Sequence, residues 1–378
     1  MTGTRVWPLL LVGAIFLAAC GSAEETRPAT QPGSSEATGQ NGEAEAPEQS
    51  EEFLEASVAV VNNMAHLPVF VAQEFGLWTD RGLDVDVQTL GSGADIAAAL
   101  GAGEAEFAAV NAGTGVAPQR ASGLMTKLVA PYNNDATNAM YVDWIGIVGR
   151  SDAGVTTDPK SLVGKRIAVT SGGTPFEYWR EWIAKEGFKD DQFDVVTMEP
   201  PDMLTSIVSG DVDAVVPWSP FLTAARSRLG DNAVDVSTGE PLLLSAIGLG
   251  AVEGQVEEKE EIFRRMIEGL VEATSLIRQD PESVAPVVLS FVEGIDEAEA
   301  VEAMAENVYD PRISVCTRHG VEVTSKTLVR EGTVDETFKA DELLDSRLLD
   351  EVLEANPDLI SDLPPLPEKI EDCRGVGE

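Results

Sequence analysis

Basic residues are scarce in this 378-residue chain: Lys and Arg together number 26 against 65 Asp and Glu, a formal net charge of −39. So acidic a surface repels phosphate backbones and anionic headgroups, which argues against nucleic acid or a bare lipid surface as a partner. Adaptation to salt or solubility accounts for such a charge; attraction of a cationic ligand is the alternative reading. Histidine is scarcer still. His66 and His319 are the two in the chain and lie far apart in sequence, so a multi-histidine metal site is excluded and no metal is expected. The chain has no G-x-x-x-x-G-K-[ST], G-x-S-x-G, G-x-G-x-x-G or C-x-x-C, and with them go the phosphate-binding loop, the nucleophile elbow, the dinucleotide turn and the redox pair. Neither a catalytic residue nor a cofactor is expected. Acid pairs such as Asp190-Asp191 and Asp211/Asp213 read as solvated loop or strand-edge charges. Long apolar runs are missing beyond the N-terminus, and the one there is too short to span a bilayer.

That N-terminal run is a targeting segment: Arg5 supplies positive charge, residues 6–16 are apolar, and Leu17-Ala18-Ala19-Cys20 follows. The arrangement resembles the lipobox of bacterial lipoproteins, which implies cleavage before Cys20 and lipid on its thiol. Residues 21–56 are rich in Glu, Ala, Pro, Gly and Ser and nearly devoid of large apolar side chains, so they are expected to be a disordered tether. As a flexible coil their reach is roughly 30–36 Å. Two cysteines remain, Cys316 and Cys373; in an exported chain a disulfide between them is the expectation.

From residue 57 the pattern alternates strand and helix. Strands are expected at 57–61, 83–90, 106–110, 124–131, 167–170, 194–198 and 212–216, with long apolar strands at 139–148 and 242–252. After Gln255 the pattern becomes helical, over 259–278, 281–292, 297–307 and 335–356. The most informative stretch is KRIAVTSGGTPFEYWREWI, Lys165 to Ile183. A buried strand runs into a tight turn, then Thr174 before Pro175, with Glu177 three residues after the threonine: a capping box with proline at the first helical position. Ser219 and Pro220 repeat the cap-then-proline pattern. Free N–H groups at such a helix start, with the positive end of the helix dipole behind them, suit a small ligand.

Such alternation predicts an α/β fold with mainly parallel sheets flanked by helices and ligands at the carboxyl ends of the strands. Those ends fall into two series, which predicts two lobes facing across a cleft. Residues 1–19 are expected to be the signal and 20–56 the tether, with 57–145 and 246–378 forming lobe 1 and its C-terminal helices and 146–245 forming lobe 2. The lobes would be joined by two crossings and hinge near residues 144–148 and 246–250.

The segments LPVFVAQEFGLWTDRGLDVDV, GSGADIAAALGAGEAEFAAVNAG, SLVGKRIAVTSGGTPFEYW and DMLTSIVSGDVDAVVPWSPF, in this order behind a lipobox, resemble the nitrate/taurine/sulfonate and thiamine-precursor class of substrate-binding lipoproteins of ABC importers. The resemblance covers about residues 57–280; the 310–378 tail departs from it. It implies a periplasmic-binding-protein-like fold, an extracytoplasmic monomer on the membrane through its lipid, permease and ATPase partners, and ligand contacts from Asn62, Asn63, Ser92, Asn111, Thr114, Ser171, Thr174 and Trp218. His66 sits beside these positions as a ligand contact or a structural histidine. The proposed contact motifs hold no Lys or Arg, whereas Tyr132, Phe176, Tyr178 and Trp218 lie at or just after strand ends. Rings and amides together favour a small planar heterocycle, such as a pyrimidine-type precursor, over nitrate, taurine or an alkylsulfonate. An enzyme of pyrimidine or quinone precursor metabolism on the same fold is the other alternative.

Overall fold

The computed structural model describes residues 53–376 apart from 91, 92, 141, 143, 171, 172, 241, 243, 245 and 293. The expected signal, Cys20 and most of the tether lie outside the described residues, as do Ser92 and Ser171. Ten strands form two five-stranded sheets. In chain order they are β1 (Leu54–Val60), β2 (Leu83–Thr89), β3 (Phe107–Asn111), β4 (Thr126–Asn133), β5 (Gly146–Arg150), β6 (Arg166–Val169), β7 (Asp194–Thr197), β8 (Ala214–Val216), β9 (Ala233–Thr238) and β10 (Ile247–Val252). The first sheet runs β2-β1-β3-β10-β4 and the second β7-β6-β8-β5-β9. Each holds one antiparallel strand, and in each it is the strand that arrives from the other sheet: β10 lies between β3 and β4, and β5 between β8 and β9. This is the two-lobed fold anticipated from the alternation.

Central strands such as Val58-Ala59-Val60 and Ala214-Val215-Val216 are continuous apolar runs because helices cover both faces. The 20-residue helix Glu260–Gln279 covers the first sheet with Phe263, Met266, Ile267, Leu270 and Ile277 buried at helical spacing. Its Phe263 ring packs 4.4 Å from Phe107, and its Met266 carbonyl accepts from the buried Trp78 indole at 3.1 Å. Gly248 of β10 has no room for a side chain: a Cβ there would collide with the Ala130 carbonyl of β4.

Several elements differ from the sequence expectation. β1 starts at Leu54, so residues 54–56 belong to a strand and not to the tether. Of the long strands expected at 139–148 and 242–252 the structure has β5 and β10; before β5, Ala139 and Trp144 bond through their backbones to Arg374 and Ser219. β9, with its alternating Val234 and Val236, was missed, an edge strand paired only to β5. The helix Phe221–Leu229 has Pro220, not Ser219, at its N-cap, and the Ser219 hydroxyl instead donates to Glu306. The region 335–356 breaks into Ala340–Leu343 and Arg347–Ala355.

The largest omission is the helix Val315–Arg330, capped by Ser314, whose hydroxyl accepts from the amides of Cys316 and Thr317. It lies across both crossings. Gly320 sits against the Ala139 carbonyl and Leu244, and the Thr324 hydroxyl accepts from the Leu244 amide at 3.4 Å. Cys316 and Cys373 are joined by a disulfide, with Cα atoms 5.6 Å apart. It holds the tail on the first crossing, where Arg374 exchanges backbone hydrogen bonds with Thr137 (3.0 Å) and Ala139 (2.9 Å) and pairs with Asp135. At the other end of the helix, Arg330 reaches Glu181 of the second lobe at 2.7 Å.

Candidate functional site

The carboxyl ends of β1, β3, β6 and β8 open onto a cavity of about 480 Å³ between the sheets. A larger hollow of about 930 Å³ opens outside, around Arg180, Lys185 and Arg330, but no strand end reaches it.

The first-lobe wall is neutral. After β1 the chain turns through the short 3₁₀ segment Met64–His66, which brings Asn63 and His66 to the cavity. His66 is buried and shares a 2.9 Å hydrogen bond between Nδ1 and the Tyr132 hydroxyl. Burial lowers the imidazole pKa to about 3 and raises that of the Tyr132 phenol, so both are uncharged near neutrality. At the end of β3, the Asn111 side-chain Oδ1 accepts from the amides of Gly113 (3.0 Å) and Thr114 (3.2 Å), holding the wide turn Ala112–Val116 on which Thr114 and Gly115 face the cavity. Gln119, also in the wall, accepts from the Thr126 hydroxyl at 2.6 Å.

The second-lobe wall is different. Thr170 follows β6, and Thr174, Pro175 and Glu177 come from the first turns of the helix Gly173–Lys185. Glu199 precedes the helix Pro200–Ser209, and Trp218 follows β8. Glu177 has a buried Oε2 with no hydrogen-bond partner, and burial raises its pKa. Trp144, on the first crossing, completes the wall. The Ser219 amide donates to its carbonyl at 2.8 Å and Ile145 bridges to Trp218, so the backbones of the two tryptophans are tied together. Trp144 is 5 % exposed and its Nε1 has no partner.

Of the residues singled out from the sequence, Asn63, His66, Asn111, Thr114, Thr174 and Trp218 line this one cavity. Asn62, Tyr132, Phe176 and Tyr178 do not. Tyr132 stands behind His66. Tyr178 is buried with its hydroxyl 2.6 Å from Ser237 Oγ, and Phe176 packs on the core with the Arg180 guanidinium 5.9 Å from its ring centre. The aromatic crowding after the turn is mostly core: Trp179 and Trp182 stack at 5.5 Å and meet Phe193 and Phe188 behind the sheet. Thr174 lies inside the helix rather than capping it, since the helix begins at Gly173. Glu177, Glu199 and Trp144 were missed. A signal for Glu177 was there: positions 174 and 177, three apart, share one helix face, whereas 178, 179 and 182 share another. Among the described residues no cluster of His, Cys, Asp and Glu could hold a metal ion.

Comparison with known proteins agrees with this architecture. The NMT1/THI5-like family model matches residues 63–284, more than half of the chain. A Brucella abortus (strain 2308) protein named "Putative binding protein" is 27% identical over 275 residues, 70% of this chain and 76% of its own length. The periplasmic aliphatic sulphonate binding protein SsuA of Escherichia coli superposes with a TM-score of 0.64 at 14% identity, over 77% of this chain and 92% of its own. The nitrate-binding protein NrtA of Synechocystis PCC 6803 superposes with 0.61 at 14% identity, over 84% and 92%. At such identities the superpositions speak to the fold alone. The chain belongs to the NMT1/THI5-like family and has the two-lobed fold of the substrate-binding proteins of ABC importers.

Proposed function

We propose that this chain is the extracytoplasmic substrate-binding component of an ABC importer. It acts as a monomer tethered by lipid on Cys20, captures a small planar heterocycle between its lobes and presents it to the permease and ATPase subunits. Residues 57–145 with 246–378 would move against 146–245 as the cleft closes. One observation carries the ligand class: Trp144, Trp218, Asn63 and Asn111 line one cavity, and among the described residues no Lys or Arg lines it. Indole faces stack on flat rings, and amides match ring nitrogens and exocyclic groups as donors and acceptors.

The second reading is a small anion, favoured by the helix N-terminus at Gly173 and by the names of two neighbours, SsuA and NrtA. A thermal-shift screen of pyrimidines, flavins, nitrate, taurine and alkylsulfonates decides between them. The planar-ligand reading expects stabilisation by heterocycles that is lost in Trp218→Ala. A response to sulfonates or nitrate only, unchanged in Trp218→Ala, contradicts it.

A further inference from the structure

We infer that the ligand carries a positively charged nitrogen and that Glu177 is its counter-ion, with Glu199 adding negative charge at the mouth of the cleft. The inference rests on the cleft being the binding site, as proposed above, and names the charge of what it takes.

Among the described residues the charged side chains in the cavity wall, His66 being held neutral, are Glu177 and Glu199, both acidic. Relatives named for anions would lead one to expect a cation here, and the described wall has none. The positive feature it does have, the N-terminus of the helix Gly173–Lys185, amounts to about half an elementary charge, and the Glu177 carboxyl stands in the first turns of that same helix. An anion entering would meet like charge in a site of lowered dielectric, where repulsion is stronger than in water.

Two unpartnered acceptors point the same way. Glu177 Oε2 and Asn63 Oδ1 are acceptors, both buried, both without a hydrogen-bond partner, and they belong to opposite walls. Trp144, nineteen-twentieths buried, leaves one N–H donor unmatched, which calls for an acceptor elsewhere on the ligand. A buried carboxylate oxygen without a partner carries a full desolvation cost. Here it has no ion pair to offset that cost: Arg180, on the same helix, acts on Glu177 only through space, and burial outweighs it in setting the carboxyl's raised pKa. A ligand bringing N–H groups on a cationic centre supplies what the wall lacks. One N–H would reach Glu177, another Asn63, and a flat ring between them would lie against Trp218, which also favours a cation. Protonated amino-heterocycles and amidines have this shape.

The test is isothermal titration of the full chain with three planar probes of matched size: benzamidine (cation), benzamide (neutral) and benzenesulfonate (anion). Butylamine and butanesulfonate serve as a ringless pair, and Glu177→Gln is the variant. A charge-assisted hydrogen bond predicts benzamidine binding about tenfold or more tighter than benzamide. In Glu177→Gln the two should converge while benzamide binding persists, which shows the variant folded. Butylamine binding that depends on Glu177, without benzamidine binding, would keep the charge assignment and remove the planar ligand. Equal affinity for benzamidine and benzamide in the native chain, no binding of either cationic probe, or preference for the sulfonates unaffected by Glu177→Gln would each overturn the inference.

Discussion

The two walls of the cleft are built to opposite rules. On the first lobe nearly every polar group that the strand ends present is already engaged: His66 with Tyr132, Asn111 with the turn amides, Gln119 with Thr126. Burial keeps its one ionisable pair neutral. On the second lobe two carboxylates face the cavity, one of them with a stranded buried oxygen. The first wall gives shape and leaves one buried acceptor, Asn63 Oδ1, without a partner. The second is unfinished, and a buried polar group without a partner calls for a ligand, a water or a structural explanation. On the reading proposed above, a ligand bridging both lobes would meet shape on one and charge on the other.

Breaking the frame that holds the two walls should have the largest effect. The disulfide closes a loop with a sequence separation of 57 and pins the tail to the first crossing. Replacing Cys316 and Cys373 by Ala should lower unfolding stability by up to about 4 kcal/mol in the chain-entropy model. Urea denaturation measures this, and peptide mapping without reductant should find the two cysteines linked in the native chain.

The first wall is challenged next. Tyr132→Phe leaves His66 Nδ1 buried without its partner and should cost about 1–3 kcal/mol of stability, read as a lower denaturation midpoint. The same pair sets a pH signature. His66 has a folded pKa of about 3 against the ordinary 6.5, so between those values the unfolded chain binds the extra proton. Stability is complete above about pH 6.5 and drains as pH falls toward 3. A His66→Gln variant should flatten that limb of a melting-temperature curve.

Trp218→Ala removes the second wall's stacking surface and should weaken ligand binding by roughly 1–3 kcal/mol while leaving stability less affected than Tyr132→Phe does. A loss of fold in place of a loss of affinity would make Trp218 a core residue.

The smallest effect lies behind the second wall. Glu331, at the end of the helix Val315–Arg330, has its pKa pushed up to about 7, first by burial, then by a hydrogen bond with Glu181 and by the charges of Glu181 and Glu177, with Arg180 opposing. Its ordinary value is 4.5. Within that window the folded chain holds the extra proton, so stability declines as pH rises from about 4.5 to 7, opposite in sign to His66. Glu331→Gln should remove this decline. Its partial exposure keeps the effect modest, and a melting-temperature series from pH 4 to 8 resolves it.

The same division decides what could be read from the sequence. Alternating apolar runs and cap signals located most strands and the two-lobed fold, because local pattern fixes those elements. The cleft's position followed from the strand ends, and Asn63, His66, Asn111 and Trp218 followed with it. The charged wall was not legible. Glu177 read as half of a capping box, and only the helix's rotational setting, fixed when Tyr178, Trp179 and Trp182 go to the core, turns its side chain to the cavity. Trp144 sits on a crossing that pattern alone made a strand, and the irregular path there is held by residues as distant as Arg374. The helix Val315–Arg330, whose Leu328 reaches the cleft, has its place set by long-range contacts at Gly113 and Gly320 that no local signal carries.

The most direct measurement is mass spectrometry of the small molecule released on denaturing protein purified in its native state. A planar nitrogen base that carries a positive charge near neutral pH is the predicted cargo. Nitrate, taurine or an alkanesulfonate recovered in stoichiometric amount would contradict the account.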